Sequence, residues 1–180
     1  RGFEEFRGFI GDMMDDYWEH TRHGYEYMYH NDKRVETKGT HATTLFTDWA
    51  IEDLTEAVKQ KRPFFQFLAY NAPHDPIHPP QQYLDNFKKR HKSASEKRSR
   101  IAGIIEHMDF DIGRVLDHLV KLKVDKNTIV VFTSDNGGKL KYGADNGLLR
   151  SDKGNMYEGG LRVCTSVTWP GKISANRISK

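Results

Sequence analysis

Apolar residues recur at intervals of three and four from Ile101 through Ile104, Ile105, Met108, Ile112, Val115 and Leu116 to Leu119, the spacing of one helix face. A second helical pattern runs from about Thr44 to Lys61, where Ala50, Ile51, Leu54, Ala57 and Val58 share a face; Asp48 falls in its first turn and Lys59 and Lys61 in its last. Two stretches have strand length instead. FFQFLAY, Phe64 to Tyr70, and the run from Thr128 to Ser134 are almost continuously apolar, the pattern of strands covered on both faces. A short helix is predicted over Gln81 to Phe87. Glu158, Gly159 and Gly160 read as a turn into a third strand, Leu161 to Thr168. The first forty residues mix aromatics, Gly, His and Asp without a period, which predicts loops with short elements.

Strand, crossover helix and strand make a parallel β-α-β unit, so the expected class is α/β, a large mixed but mainly parallel sheet flanked by helices. Such sheets present ligands at the carboxyl ends of their strands. Two polar loops fall at those ends: NAPHDPIHPP after the first strand and DNGG after the second. On this topology His74, Asp135 and Asn136 are expected to converge, although about sixty residues separate them.

Composition narrows the class. With 37% hydrophobic and 29% charged residues among 180, and no apolar run near the length of a membrane span, a core is affordable and a transmembrane helix is not predicted. The single cysteine, Cys164, has no internal disulfide partner and reads as a small buried hydrophobe. The net charge of +3 is a local property. KKRHKSASEKRSR, Lys88 to Arg100, holds seven Lys or Arg and one Glu; 28 less 7 leaves 21 basic residues elsewhere, against 25 less 1, or 24, acidic ones. That stretch reads as a solvated surface or as a patch for an anionic polymer. Nucleic acid is not indicated, because the interleaved aromatics of a stacking platform are missing.

Three places carry chemistry. Asp135 and Asn136 offer a carboxylate and an amide oxygen beside two glycines, which fits either a plain turn or a hard cation such as Ca²⁺ or Mg²⁺. His74 lies among Pro73, Pro76, Pro79 and Pro80, which limit the freedom of its loop, and imidazole can give a proton to a leaving oxygen. Lys153, in LLRSDKGNMYEGGLRV, can meet an anion or decorate the surface. Asp12, Asp15 and Asp16 read as solvated acids, and His78 as a structural histidine.

Taken in order, GFEEFRGFIG, LFTDWAIEDL, PFFQFLAYNAPHDPIHPP, MDFDIGRVLDHL, NTIVVFTSDNGG, KGNMYEGGLRV and WPGKI resemble the sulfatases, the formylglycine-dependent sulfuric ester hydrolases of the alkaline phosphatase superfamily. The segments cover nearly the whole chain. The resemblance implies that Asp135 and Asn136 are ligands of Ca²⁺, or of Mg²⁺ as in some relatives. It also implies that His74 contacts the sulfate ester and protonates the leaving alcohol, and that Lys153 binds the sulfate. The look of NAPHDPIHPP and YEGGLRV is that of the arylsulfatase and N-acetylgalactosamine-sulfatase branch. This implies a sulfated sugar or aryl sulfate as substrate, a formylglycine-generating enzyme as a partner, and a secreted, periplasmic or lysosomal location.

One departure qualifies the resemblance. The family's nucleophile motif, Cys or Ser-x-Pro or Ala-x-Arg, does not occur here, nor does the Asp pair that completes the metal site. Cys164 is followed by Thr165-Ser166-Val167-Thr168 and does not fit. Residues 1–180 are therefore expected to be the later part of a sulfatase catalytic domain, inactive alone, with the nucleophile supplied by preceding sequence. Two alternatives stay open: a phosphoester or phosphonate hydrolase of the same superfamily, and an inactive sulfatase-like binding module.

Overall fold

The computed structural model describes residues 2–178; Arg1, Ser179 and Lys180 lie outside the described residues. The chain divides into two compact units, one up to Val115 and one from Leu116 onward. Each is described by itself.

The first unit begins with short strands, as its lack of period predicts. β1 (Arg7–Phe9), β4 (Met28–His30) and β5 (Lys33–Arg34) form an antiparallel sheet in the order β1-β4-β5, with Phe9 opposite Met28. β2 (Thr21–Arg22) and β3 (Tyr25–Glu26) make a hairpin whose turn residues His23 and Gly24 both have positive φ, the geometry that matches strand twist in a two-residue turn. Asp12 and Asp15 are tied to this hairpin. Arg22 holds both, with Nε and Nη2 on the two oxygens of Asp12 at 2.8 and 3.1 Å and Nη1 on Asp15 at 2.7 Å.

α1 (Ala42–Lys59) starts two residues earlier than predicted. His41 is its cap, the ring Nδ1 accepting from the Thr43 amide at 3.2 Å, a role the sequence hides because caps are usually Ser, Thr, Asp or Asn. α2 (Gln81–Arg90) and α3 (Glu96–Lys121) follow, both longer than predicted, and α3 runs across the boundary between the units. Met14, Tyr17, Met28, Ala42, Phe46, Ala72 and Ile104 form the core, with Leu68, Tyr70, Ile77 and Met108 packed against it.

The predicted strand Phe64 to Tyr70 forms no regular element and has no ladder partner among the described residues. Its side chains alternate. Leu68 and Tyr70 turn into the core, whereas Phe65 and Phe67 remain 78% and 71% exposed, so only one face is covered. Phe65 stacks on Phe3, ring centroids 5.7 Å apart.

The buried face of α3 in this unit keeps Ile101, Ile104 and Met108 of the predicted stripe but adds polar residues and leaves Ile105 out. Ile101 and Ile104 are buried with His107 and Asp111, while Ile105 is largely exposed. Asp111 is held by three groups: Thr44 Oγ1 at 2.9 Å, His107 Nε2 at 3.2 Å and Arg114 Nη1 at 2.7 Å. These bonds outweigh the desolvation that burial imposes and keep its carboxyl below the usual range.

In the second unit β6 (Val130–Thr133) pairs antiparallel with β7 (Thr165–Thr168), Val131 facing Val167, and every ladder among the described residues is antiparallel. Both β6 and β7 are mostly exposed, which for β6 goes against the expectation of a buried strand. Each has a single hydrogen-bonded neighbour here, so its apolar side chains have little to lie against. Cys164, just before β7, is exposed for the same reason rather than buried. The stretch Glu158–Leu161 is not a turn but a one-turn helix, α4.

Candidate functional site

The Asn71 to Pro80 loop carries His74 in the first unit. The His74 amide donates to Asn71 O at 2.9 Å, and its carbonyl accepts from the Tyr17 hydroxyl at 3.0 Å. Tyr17 is buried in the core, and burial raises its hydroxyl far above the ordinary tyrosine value, so it stays a donor. The imidazole is oriented by its neighbour: Nδ1 lies 2.7 Å from the Asp75 carbonyl oxygen, which can only accept. Nδ1 therefore carries the hydrogen, and Nε2 is left with no hydrogen-bond partner among the described residues. His78 serves structure, its carbonyl accepting from His41 Nε2 at 3.0 Å.

Asp135, Asn136 and Lys153 are brought together in the second unit. β6 ends at Thr133 and the chain turns at DNGG, where the Gly137 amide donates to Gly160 O at 3.0 Å. A Cβ on Gly137 would stand 1.9 Å from Gly159 O, and one on Gly159 would stand 2.1 Å from Ser151 O. Gly137 thus makes room for the Gly159–Gly160 segment, and Gly159 and Gly160 make room for the carbonyls of Ser151 and Asn155. These glycines let backbone segments touch, instead of baring the backbone to a ligand as their loop positions suggest.

Asn146 fastens the turn from the other side. Its Oδ1 accepts from the Gly138 amide at 2.9 Å, while its Nδ2 donates to Gly138 O at 2.9 Å and Ser151 O at 3.1 Å. Asp152 accepts from the Leu140 amide at 3.1 Å and from Lys139 Nζ at 3.3 Å. Lys153 is pinned by its backbone, amide to Gly138 O at 3.3 Å and carbonyl to Lys139 Nζ at 2.6 Å. Its own ammonium has no partner among the described residues. Sequence reading missed Asn146, Asp152 and Lys139. The available signal was turn chemistry: Asn and Asp in a glycine-rich segment commonly satisfy backbone groups.

The metal-type oxygens are also sorted. Asn136 Nδ2 donates to Gly137 O at 2.9 Å, which turns the amide nitrogen inward and leaves Oδ1 available, next to the exposed carboxylate of Asp135. Two adjacent oxygens suit a hard cation in kind and fall short of its coordination number. Among the described residues no group of three or more His, Cys, Asp or Glu could hold a metal, so these two are part of a larger set of ligands or none.

A family model described as Sulfatase matches residues 1–180. N-acetylgalactosamine-6-sulfatase of Mus musculus is 31% identical over 166 residues, which cover 90% of this chain and 30% of that protein. An uncharacterized sulfatase of Escherichia coli (strain K12), YdeN, is 30% identical over 181 residues, covering 100% of this chain and 31% of that protein. Among solved structures, Ps i-CgsB superposes with a TM-score of 0.88 at 33% identity over 97% of this chain and 41% of that one. Its complex with k-i-k-neocarrahexaose gives 0.84 over 95% and 40%. The chain therefore spans about 30% of the length of the curated relatives it matches. The helices and ladders described above are a portion of that α/β fold. A match along every residue and a shared backbone agree: the chain belongs to the sulfatase family.

Proposed function

We propose that the protein containing this chain hydrolyses sulfate esters of a sulfated sugar, and that His74, Asp135, Asn136 and Lys153 serve that reaction. The observation that carries the reading is the backbone pinning of Lys153 to Gly138, which ties the lysine's segment to the DNGG turn that carries Asp135 and Asn136. A cation and an oxygen pair on joined segments suit an anionic oxyester better than a neutral substrate.

Asp135 and Asn136 would hold a calcium ion, or magnesium in its place, as two of its oxygen ligands. When bound, such a cation neutralises charge on the ester oxygens and on the nucleophile. Lys153 binds the sulfate oxygens. His74 donates the proton that the leaving alcohol needs: with Nδ1–H committed to the Asp75 carbonyl, the proton to be given resides on Nε2. The nucleophile in this reading is a formylglycine outside the chain, made by a formylglycine-generating enzyme, and the protein works in a secreted, periplasmic or lysosomal compartment. No helix among the described residues is long and apolar enough to cross a membrane. The sugar assignment draws on the N-acetylgalactosamine-6-sulfatase likeness and on the neocarrahexaose complex of the structural relative.

The test is hydrolysis of para-nitrophenyl sulfate and of sulfated oligosaccharides by the full-length protein, against the corresponding phosphates, with metal analysis of the same preparation. Sulfate turnover with calcium bound is the expected result. Preference for phosphate with zinc bound would overturn it, because Asn136 stands where an imidazole would suit zinc.

A further inference from the structure

The hairpin made by α2 and α3 concentrates the basic residues of the chain. Lys88, Lys89 and Arg90 form the last turn of α2, Lys92 lies in the connection, and Lys97, Arg98 and Arg100 begin α3. Two carboxylates answer seven cations: Glu96 meets Lys88 at 2.7 Å and Arg100 at 3.1 Å, and Glu106 meets Arg90. Lys89, Lys92 and Lys97 are exposed, with no ion pair among the described residues.

Helix electrostatics explains half of this arrangement. Cations at the end of α2 complement its dipole, whereas Lys97, Arg98 and Arg100 crowd the positive end of α3, where acids belong. Lys97 and Arg98 therefore gain nothing from the helix dipole, and Arg100 is offset only by its pair with Glu96. Nor is the region a loose tail. Leu84, Phe87 and Ile101 are buried between the helices, and Gly103 of α3 approaches so closely that a Cβ there would stand 3.2 Å from Leu84 Cα. The cations are mounted on a fixed frame. That frame is joined to the His74 loop of the same unit: Arg100 Nη1 donates to Ile77 O at 3.3 Å.

We propose that the α2–α3 hairpin is a binding surface for a sulfated polysaccharide, holding sugars of the chain beyond the one whose ester is cleaved. The inference rests on the sulfated-sugar reading above for its ligand, and on the charge layout for its existence. Regularly spaced sulfates on a stiff polymer match cations fixed on two helix ends, and binding releases the counterions that both carry. A nucleic acid would need stacking surfaces among the cations as well; within Lys88 to Arg100 the one aromatic ring is His91, and it stacks on Phe87.

The experiment is a binding titration of the full-length protein with chondroitin sulfate chains, the same chains desulfated, and single-stranded DNA, each at two salt concentrations. The K89S/K92S/K97S variant is compared with the parent, and equal unfolding midpoints check that these exposed changes leave the fold intact. The variant is expected to bind the sulfated chain at least about tenfold more weakly, with a salt dependence shallower by roughly one counterion per lysine removed. The desulfated chain is expected to bind neither protein. Equal affinity and equal salt dependence of variant and parent would overturn the proposal, as would DNA binding as tight as that of the sulfated polysaccharide. These results are separate from the esterase test: a protein that binds the polymer through these lysines but cleaves no sulfate ester would sink the catalytic reading and leave the surface standing.

Discussion

The amide of Gly137 reaches the carbonyl of Gly160 at 3.0 Å because Gly137 has no side chain to hold the two segments apart. One contact thereby ties the turn that carries Asp135 and Asn136 to the segment that follows Lys153.

Gly137→Ala places a methyl group inside Gly159 O and has no flexible side chain to push aside, so it is expected to destabilise the second unit by about 1–3 kcal/mol. Activity of the full-length protein should fall with it. Gly113→Ala is the contrast: this α3 glycine has open space around its Cβ position, and the change should stabilise by roughly 1 kcal/mol. Urea unfolding of the two variants checks both signs.

Lys153→Met removes the ammonium and keeps the backbone bonds to Gly138 and Lys139. Unfolding should be unchanged while kcat/KM for a sulfate ester drops by about 10² to 10³. A large loss of stability would instead mean that the side chain, not only the backbone, supports the loop.

His41 gives a pH signature. Burial, and secondarily the neighbouring His107, lower its value from 6.5 to about 4, since a charged ring could not cap α1 through Nδ1 while donating from Nε2 to His78 O. The folded state thus binds fewer protons than the unfolded one between these values. Stability should be full above pH 6.5 and be lost as pH falls toward 4, by about 3 kcal/mol from this residue. His20, also lowered chiefly by burial, adds in the same direction. His41→Asn retains a cap and should make the decline between neutral and acid pH shallower. The lowered Asp111 acts in a different window: its contribution is present above the ordinary carboxylate value and is lost only below it.

Asp111→Asn tests the polar seam between α1 and α3. Removing a carboxylate that is 1% exposed leaves Arg114, His107 and Thr44 short of their acceptor, with an expected cost of about 3 kcal/mol. A variant as stable as the parent would show that the seam is dispensable.

Periodicity and punctuation, which act over a few residues, determined much of this chain by themselves. The three longer helices, the loop character of the first forty residues and the segments that carry His74, DNGG and Lys153 were legible because apolar spacing, proline and glycine report local geometry directly. What depends on partners was not. FFQFLAY announces two covered faces, but Phe65 and Phe67 stay mostly exposed; β6 and Cys164 read as buried and are open. An apolar run states what a strand would bury, and only the neighbours present decide whether it does. Likewise, sequence could say that His107 and Asp111 lie four apart, but not that α1 would bring Thr44 to them. Nor could it say that the glycines of DNGG make room for Gly159 and Gly160, because the close approach of two backbones distant in sequence exists only once the chain has folded.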